Sequence, residues 1–246
     1  MIMPRLGTRK LYHILKPALQ ELGVGRDRLF EILKANHMLI KPKKKYHITT
    51  NSHHRFRKHK NLVKDLGIVR PNQVWVADIT YVGTRDNPMY LSLITDAYSK
   101  QIMGYNVSDS LSTKGALSAL KEALKNRSYS GEKLIHHSDR GLQYCSNQYQ
   151  ELLNKNNVIC SMTESYDPYE NAIAERVNGI LKQEFIEIVK VEQIDLMKKL
   201  VSQSIKIYND IRPHLSCSMM TPRKMHQQKI IKPKTYKKQN HLKASF

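Results

Sequence analysis

Three acidic residues, Asp78, Asp139 and Glu175, have types and spacing that could support chemistry. Asp78 interrupts the strand-like run 74–82, and Asp139 ends a second apolar run, 134–139. Glu175 lies on a predicted helix, with 35 residues between it and Asp139. A carboxylate inside an apolar strand is unfavourable unless a cation compensates its charge. Three carboxylates that converge would form a site for a divalent metal ion, and such oxygen ligands suit Mg²⁺ or Mn²⁺.

The predicted secondary structure decides which way each carboxylate points. Strand alternation places Asp78 on one face of its strand, together with Val74, Val76, Thr80 and Val82. Asp139 stands at the C-terminal end of its strand, a position at which open α/β sheets place ligands. Glu175 is turned about 200° away from the buried stripe of its helix and can face a cleft. That stripe is predicted to contain Ile173, Val177, Ile180, Leu181 and Ile188.

Two further polar residues share the predicted helix face of Glu175. Asn178 and Lys182 follow it by three and seven residues. A carboxylate with a lysine two turns later could hold a metal ion and a nearby phosphate together. Taken singly, each acid has an ordinary interpretation, because a lone strand Asp can be an edge residue and a lone helical Glu is usually solvated. The combination of order and spacing favours function.

The net charge of +20 is concentrated at the two ends of the chain. Residues 1–70 carry 17 Lys and Arg against 4 Asp and Glu, and residues 222–246 carry 8 basic residues and no acid. Residues 71–221 are nearly neutral, with 16 basic and 17 acidic residues. Lys and Arg displace counterions from phosphates, so these basic arms predict a polyanionic partner. The alternative is a basic protein whose charge is only solvated.

Length and composition exclude several classes of protein. A chain of 246 residues with 40% hydrophobic content can bury one substantial core and a small accessory domain. No apolar run approaches the ~20 residues needed to cross a bilayer, so no membrane partner is predicted. The three cysteines are widely spaced and fit neither a disulfide framework nor a Cys-x-x-Cys zinc site. We therefore expect a cytoplasmic protein in an intracellular, reducing compartment.

The N-terminal region has the pattern of a DNA-reading helical pair. Amphipathic spacing predicts helices at 8–21 and 26–37 with a Gly-containing turn between them, as in a helix-turn-helix. Pro17 is expected to kink or split the first helix. Arg26 and Arg28 open the second helix, where a recognition helix would present side chains to a DNA groove. A generic helical hairpin is the alternative.

The segment that follows the helical pair is basic and has little periodicity, which predicts a linker lying along a phosphate backbone. The residues expected to contact DNA there are Lys43, Lys44, Lys45, Arg55 and Arg57. His53 and His54 lie among them, but no Cys pair follows at zinc-site spacing, so solvated histidines are expected.

From Pro71 onward, strand and helix patterns alternate. Strands are predicted at 74–83, 88–96, 101–108, 133–138 and 157–162, and helices at 113–126, 147–156, 170–187 and 192–209. This order predicts an α/β fold with a mixed five-stranded sheet flanked by helices. The predicted organisation is a helix-turn-helix-like domain at 1–40, a basic linker at 41–70, a core at 71–190, a helical extension at 191–221 and a poorly ordered basic tail at 222–246.

Four stretches of the chain carry a family resemblance. They are WVADITY at 75–81, YLSLITD at 90–96, HSDRGLQY at 137–144 and NAIAERVNGILK at 171–182. Together with their spacing, they resemble the second-frame transposases of the bacterial insertion-sequence "three" family. The resemblance covers roughly residues 5–225. It departs slightly at Glu170, where Asp is commoner in the family.

The resemblance implies a retroviral-integrase-like catalytic core at 71–190 on a ribonuclease-H-like fold. Asp78, Asp139 and Glu175 would be its Asp-Asp-Glu triad, holding two Mg²⁺ (or Mn²⁺) ions, and Lys182 would be the lysine that accompanies the glutamate. The implied activity is DNA cleavage at the element ends and strand transfer into target DNA. The implied partners are terminal inverted repeats, target DNA, further copies of the chain, and an upstream-frame protein or fused form.

Two other functions stay open at this point. A ribonuclease-H-like nuclease would cut without joining, and a transposase-derived regulator would bind DNA without chemistry. The basic arms favour the transposase over the nuclease, and the intact set of acids argues against the silent regulator. His136 and His137 are candidates for shaping the site, with structural roles equally open.

Overall fold

A five-stranded mixed sheet lies at the centre of the protein. The structure is a computed structural model that describes residues 3–40, 59–128, 131–164 and 171–228. The strands are β1 (Val74–Gly83), β2 (Pro88–Asp96), β3 (Ile102–Ser108), β4 (Leu134–Ser138) and β5 (Val158–Met162). Their order is β3-β2-β1-β4-β5, with β1, β2 and β3 antiparallel and β1, β4 and β5 parallel. The predicted fold class is confirmed.

Helices cover both faces of this sheet. They are α1 (Thr8–Glu21), α2 (Arg26–Ala35), α3 (Thr113–Lys125), α4 (Leu142–Cys145), α5 (Asn147–Lys155), α6 (Ala172–Leu181), α7 (Ile194–Asp210) and α8 (Pro222–His226). Trp75 and Ala77 of β1 pack into the core beneath α3 and α5, while Val82, on the other face, packs into the core beneath α6 and α7. Alternation along β1 therefore sends odd-numbered and even-numbered side chains to different helical layers. Within the described residues, no helix is long and apolar enough to span a membrane.

The long helix predicted at 170–187 changes its geometry partway. After α6 the chain continues as a π-helical turn, Lys182–Ile186. This wider turn buries Phe185 and Ile186 and leaves Ile188 exposed. The prediction that Ile188 belongs to the buried stripe is wrong, because the added residue per turn rotates the chain that follows.

The chain after Thr221 also differs from its prediction. Residues Pro222–His226 form α8, and its Met225 is buried against Tyr98 and Cys217. The Thr221 hydroxyl caps the helix by accepting a hydrogen bond from the Lys224 N–H. The expected disorder is therefore wrong for 222–226, since one apolar side chain anchors a polar segment to the core.

An ion pair connects the first N-terminal helix to the core. The Lys10 ammonium of α1 lies 3.7 Å from the Glu184 carboxylate, which also accepts two hydrogen bonds from the buried Arg212 at 2.7 and 2.6 Å. Pro17 lies inside α1 but does not split it. The apolar face of this helical pair is partly exposed, with Ile14 at 40%.

Within the predicted linker 41–70, the described residues lie against the core. The Leu62 N–H donates to the Ser161 hydroxyl at 2.9 Å, and the Val63 and Ile68 side chains pack beside Val74 and Val76. The remainder of the linker, with Lys43, Lys44, Lys45, Arg55 and Arg57, lies outside the described residues. Its role in DNA contact stays a prediction.

Candidate active site

The strand register brings Asp78 and Asp139 to the same level of the sheet. In the parallel pair of β1 and β4, Val76 is the partner of His137. Two residues further along both strands stand Asp78 and Asp139, where β4 has ended and β1 continues beside β2 alone. Both carboxylates are half-buried. The predicted face of Asp78 is confirmed, because its contact with Asn178 places it on the α6 side.

Asp78 accepts two hydrogen bonds but remains an unfavourable site for a negative charge. Its Oδ1 accepts from the Ile79 N–H at 2.8 Å and its Oδ2 from the Asn178 Nδ2 at 2.7 Å. Burial, followed by the charge of Asp139 and more weakly that of Glu175, raises the pKa of Asp78 to about 7. The two hydrogen bonds lower this pKa, but they do not outweigh the other effects. A cation bound beside Asp78 would lower the pKa of this carboxyl group.

Asp139 is oriented by the turn that follows it. Its Oδ1 accepts a hydrogen bond from the Gly141 N–H at 3.0 Å. A Cβ at position 141 would lie 3.0 Å from that same oxygen, so glycine leaves room for the carboxylate to approach the backbone. Gly141 also precedes α4, the short helix whose Tyr144 is buried beside the site. The Asp139-Arg140-Gly141 turn therefore fixes one acidic side chain at the end of β4.

Glu175 approaches the two aspartates from α6. Asn171, at the start of that helix, donates from its Nδ2 to the Ala77 carbonyl of β1 at 3.1 Å. With the Asn178 bond to Asp78, this contact ties α6 to β1 on either side of Glu175. The Glu175 side chain is exposed, and partial burial and the charge of Asp139 raise its pKa. The three acids thus influence one another electrostatically.

The three carboxylates do not form a closed metal site. Across the described ranges, no three His, Cys, Asp or Glu side chains lie close enough together to hold one ion. Asp78 and Asp139 share a cleft of about 100 Å³, whereas Glu175 is not among the residues that line it. The two aspartates therefore share one cleft that Glu175 does not line, and the convergence of all three acids stays a prediction.

The residues predicted to contact DNA occupy different environments. The Lys182 ammonium lies 3.5 Å from the Thr80 hydroxyl and 3.8 Å from the Glu187 carboxylate. Asn178 is buried against Asp78. On α2, Arg26 and Arg28 are exposed and pair with acids of the same helix, Asp27 at 2.8 Å and Glu31 at 2.9 Å.

The contacts of His136 and His137 indicate structural roles. Both are fully buried, with the His136 Nε2 2.9 Å from the Tyr149 hydroxyl and the His137 Nδ1 2.9 Å from the Ser161 hydroxyl. Burial lowers the pKa of His136 to about 3, so the ring is neutral. These contacts hold β4 to its neighbours and thereby position Asp139.

Sequence reasoning missed the remaining wall of the aspartate cleft. Tyr81, Tyr90, Leu111 and Leu142 line it together with the two aspartates. Tyr81 belongs to the quoted motif 75–81, but strand alternation turns its side chain away from that of Asp78. Helix α4 is a single turn, which is too short to show a helical period in the sequence. Its position beside Tyr81 is visible only in the folded structure.

Two integrase core domain families match the chain, one at residues 69–168 and one at residues 156–222. An insertion element IS600 uncharacterized 31 kDa protein of Shigella sonnei is 36% identical over 221 residues, covering 88% of this chain and 79% of that protein. The transposase InsF for insertion sequence IS3fB of Escherichia coli is 32% identical over 170 residues, covering 69% and 59%.

The fold is shared with viral integrases. The catalytic core domain of HTLV-2 integrase, solved in complex with magnesium, has a TM-score of 0.51 at 19% identity over 64% of this chain and 97% of that one. The simian T-cell lymphotropic virus intasome has a TM-score of 0.58 at 18% identity over 95% and 79%. The shared fold and the two family matches define an integrase-type core. The chain belongs to the IS3 family of insertion-sequence transposases.

Proposed function

We propose that this transposase cleaves the ends of an insertion sequence and joins them to target DNA by metal-dependent phosphoryl transfer. The observation that carries the proposal is the placement of Asp78 and Asp139 side by side where β4 ends. The chain spans 79% of the IS600 protein but only 59% of InsF, so the activity of the whole relatives is part of the proposal.

The donor set fits divalent metal ions. Burial and the charge of Asp139 raise the pKa of both Asp78 and Glu175, as expected for carboxylates that lie near one another without a cation. Oxygen donors of this kind suit Mg²⁺ or Mn²⁺, and we assign two ions to the three acids. When bound, the ions would polarise the scissile phosphate and neutralise charge on the attacking and leaving oxygens.

Glu175 has to approach the aspartates for this assignment to hold. It lies on the exposed side of α6. Asn171 and Asn178 keep this helix attached to β1. We infer that the Glu175 side chain turns toward the aspartates when the site holds its cations, because their charge attracts all three carboxylates.

The remaining residues of the site orient rather than react. Asn178 holds the Asp78 carboxylate through its Oδ2, and the Gly141 N–H holds that of Asp139. Lys182, two turns after Glu175 and close to Thr80, would hold a DNA phosphate as a point charge. The same site would serve cleavage and joining, since both steps place a phosphodiester and an attacking oxygen in the same arrangement.

The wider assembly follows from the same proposal. Arg26 and Arg28 on α2 and the basic segment at 41–58 would bind the terminal inverted repeats and the target. Positioning two DNA ends requires more than one copy of the chain. An upstream-frame protein, or its fused form, would complete the complex in the cytoplasm.

A strand-transfer assay in Mg²⁺ with pre-cleaved inverted-repeat ends tests the function. Joined products support transposition. Cuts without joining would support a ribonuclease-H-like nuclease instead. Metal-independent binding without either product would support a silent DNA-binding regulator, and the exposed position of Glu175 is the observation that favours this alternative. Supplying the upstream-frame protein in a parallel reaction separates an inactive chain from an incomplete complex.

A further inference from the structure

Tyr81 and Tyr90 form an aromatic pair next to the aspartates. They are direct partners in the antiparallel pairing of β1 and β2, with ring centroids 4.9 Å apart and planes inclined at 52°. Both side chains are half-buried. Because Tyr81 alternates with Asp78 and Thr80 along β1, the pair lies on the opposite side of the sheet from α6.

The helix that covers this side of the sheet stops short of the tyrosines. A Cβ added at Gly115, in the first turn of α3, would lie 3.5 Å from the Ser92 hydroxyl, so α3 covers β2 as far as Ser92. Tyr90 is the next residue outward on that face, and α3 begins at Thr113. The aromatic pair is thus left at the open end of the sheet.

The space above the pair is continuous with the aspartate cleft. Its apolar lining includes Leu111 at 36% and Leu142 at 46% exposure, and Asp78 and Asp139 line the same cleft. The wall is fixed in place, because the Gln143 Nε2 donates to the Leu111 carbonyl at 2.7 Å. Among the described residues that line the cleft, none is a Lys or Arg.

We propose that Tyr81 and Tyr90 form a stacking platform for an unpaired nucleobase that flanks the scissile phosphate. This inference rests on the proposed function, since it takes the aspartates as the place where the phosphate binds. A cleft of about 100 Å³ has room for one ring but not for a base pair. Aromatic faces and leucines favour the flat, uncharged ring of a base, while the lack of a lining cation disfavours a phosphate.

The platform would act by positioning the phosphodiester attached to the bound base. A base held against Tyr81 and Tyr90 would place its phosphodiester along the edge of β1 that β4 leaves free, where Asp78 and Asp139 line the same cleft. Removing the base from its stack in the duplex is unfavourable, and stacking on aromatic side chains compensates for it. The protein would therefore prefer DNA that is frayed, mismatched or single-stranded beside the reacting position.

Binding measurements in Ca²⁺ with uncut DNA test this inference. The probes are a duplex with a short 3′ single-stranded overhang and a blunt duplex of the same sequence. Tyr81→Ala and Tyr90→Ala should each lower the affinity for the overhang probe by about tenfold, while blunt-duplex affinity stays unchanged. Tyr81→Phe should bind like the wild type, since the ring is retained. Tyr105→Ala, on β3 of the same sheet, is the matched control and should change neither affinity.

Photocross-linking locates the base directly. An overhang carrying 5-iododeoxyuridine should cross-link to Tyr81 or Tyr90, as identified by mass spectrometry of the peptides. Overhang binding unaffected by either alanine variant, or cross-links confined to other residues, would overturn the proposal. If Tyr90→Ala is unfolded by circular dichroism, Tyr90→Thr replaces it, because a β-branched residue suits a strand.

The two proposals can fail separately. Cross-links to the tyrosines in a protein that neither cuts nor joins DNA in Mg²⁺ would support the platform and remove the transposase activity of this chain. Joined products from a protein whose tyrosine variants bind overhang DNA normally would support the activity and remove the platform.

Discussion

Asp78 and Asp96 lie on paired strands of one sheet but in opposite electrostatic environments. Asp96, fully buried at the end of β2, accepts hydrogen bonds from the Asn72 N–H at 2.7 Å and from the Ser99 N–H and hydroxyl at 2.7 and 2.8 Å. The His226 Nδ1 lies 3.7 Å away. Burial raises the pKa of Asp96, but these groups outweigh it and lower the pKa below its ordinary value.

Asp78 lies near two other acids and accepts fewer hydrogen bonds than Asp96 does. Two hydrogen bonds hold its orientation, yet burial, Asp139 and Glu175 raise its pKa to about 7. The difference separates a carboxylate whose charge is satisfied within the protein from one whose charge is not. In this sheet, the direction of the pKa shift distinguishes the two roles better than burial does.

The largest expected effect is on chemistry. Asp139→Asn keeps the shape of the side chain but removes a charge needed to hold metal ions, so cleavage and joining should fall by about 10³-fold or more while DNA binding persists. The measurement is strand transfer beside an equilibrium DNA-binding titration. Asp86→Asn, an exposed acid in the β1–β2 turn, is the matched control and should retain full activity. Turnover that survives Asp139→Asn would show that the site has been assigned wrongly.

The second effect is a loss of stability, which should occur only when the structural carboxylate, Asp96, is substituted. Asp96→Asn places an amide group against N–H donors and removes the charge facing His226, so the free energy of unfolding should fall by about 3 kcal/mol. For a chain of this size, that corresponds to a melting temperature lower by roughly 6–12 °C. Asp195→Asn, on the exposed start of α7, should change stability by less than about 0.5 kcal/mol. A small loss for Asp96→Asn would mean that its hydrogen bonds are readily replaced by water.

The same substitution at Asp78 should have the opposite sign. In metal-free protein at pH 8, Asp78→Asn removes a charge repelled by Asp139 and keeps the hydrogen bond from Asn178, so stability should rise by about 1–2 kcal/mol. Thermal unfolding with and without Mg²⁺ provides the measurement. Wild-type protein should be stabilised by Mg²⁺, and the variant should lose most of that gain. Destabilisation of the metal-free variant would place Asp78 in the same structural class as Asp96.

The sequence pattern predicted one side of this contrast and not the other. Strand alternation and the spacing of the acids led to Asp78, Asp139 and Glu175, because a carboxylate in an apolar run is conspicuous. Asp96 also ends an apolar strand, but its hydrogen-bond donors come from Asn72 and Ser99, and His226, 130 positions along the chain, lies 3.7 Å away. Local sequence carries no signal for partners that only tertiary packing brings together.

The long elements were predicted from the sequence, whereas the short helices were not, because a short helix contains too few repeats of its pattern. The strands and the longer helices other than α6 lie within two residues of their predicted bounds because several repeats of the pattern define each. Helix α4 and helix α8 have four and five residues and show no period. The π-helical turn after Leu181 could not be predicted either, since a change in residues per turn leaves the composition unchanged.

The pH dependence of the Asp78→Asn gain is the smallest effect. Asp78 titrates near its ordinary value of 3.8 in the unfolded chain but at about 7 in the folded protein. Between these values the folded state binds more protons, so this group's contribution to stability falls as pH rises. The advantage of the variant over wild type should therefore be close to zero at pH 4, below about 1 kcal/mol near pH 5.5, and complete only at pH 8.

Denaturant melts of both proteins without metal at these three pH values give the difference directly. A gain that is independent of pH would show that it comes from altered packing or hydrogen bonding, because only repulsion between ionised carboxylates disappears when Asp78 is protonated in both states.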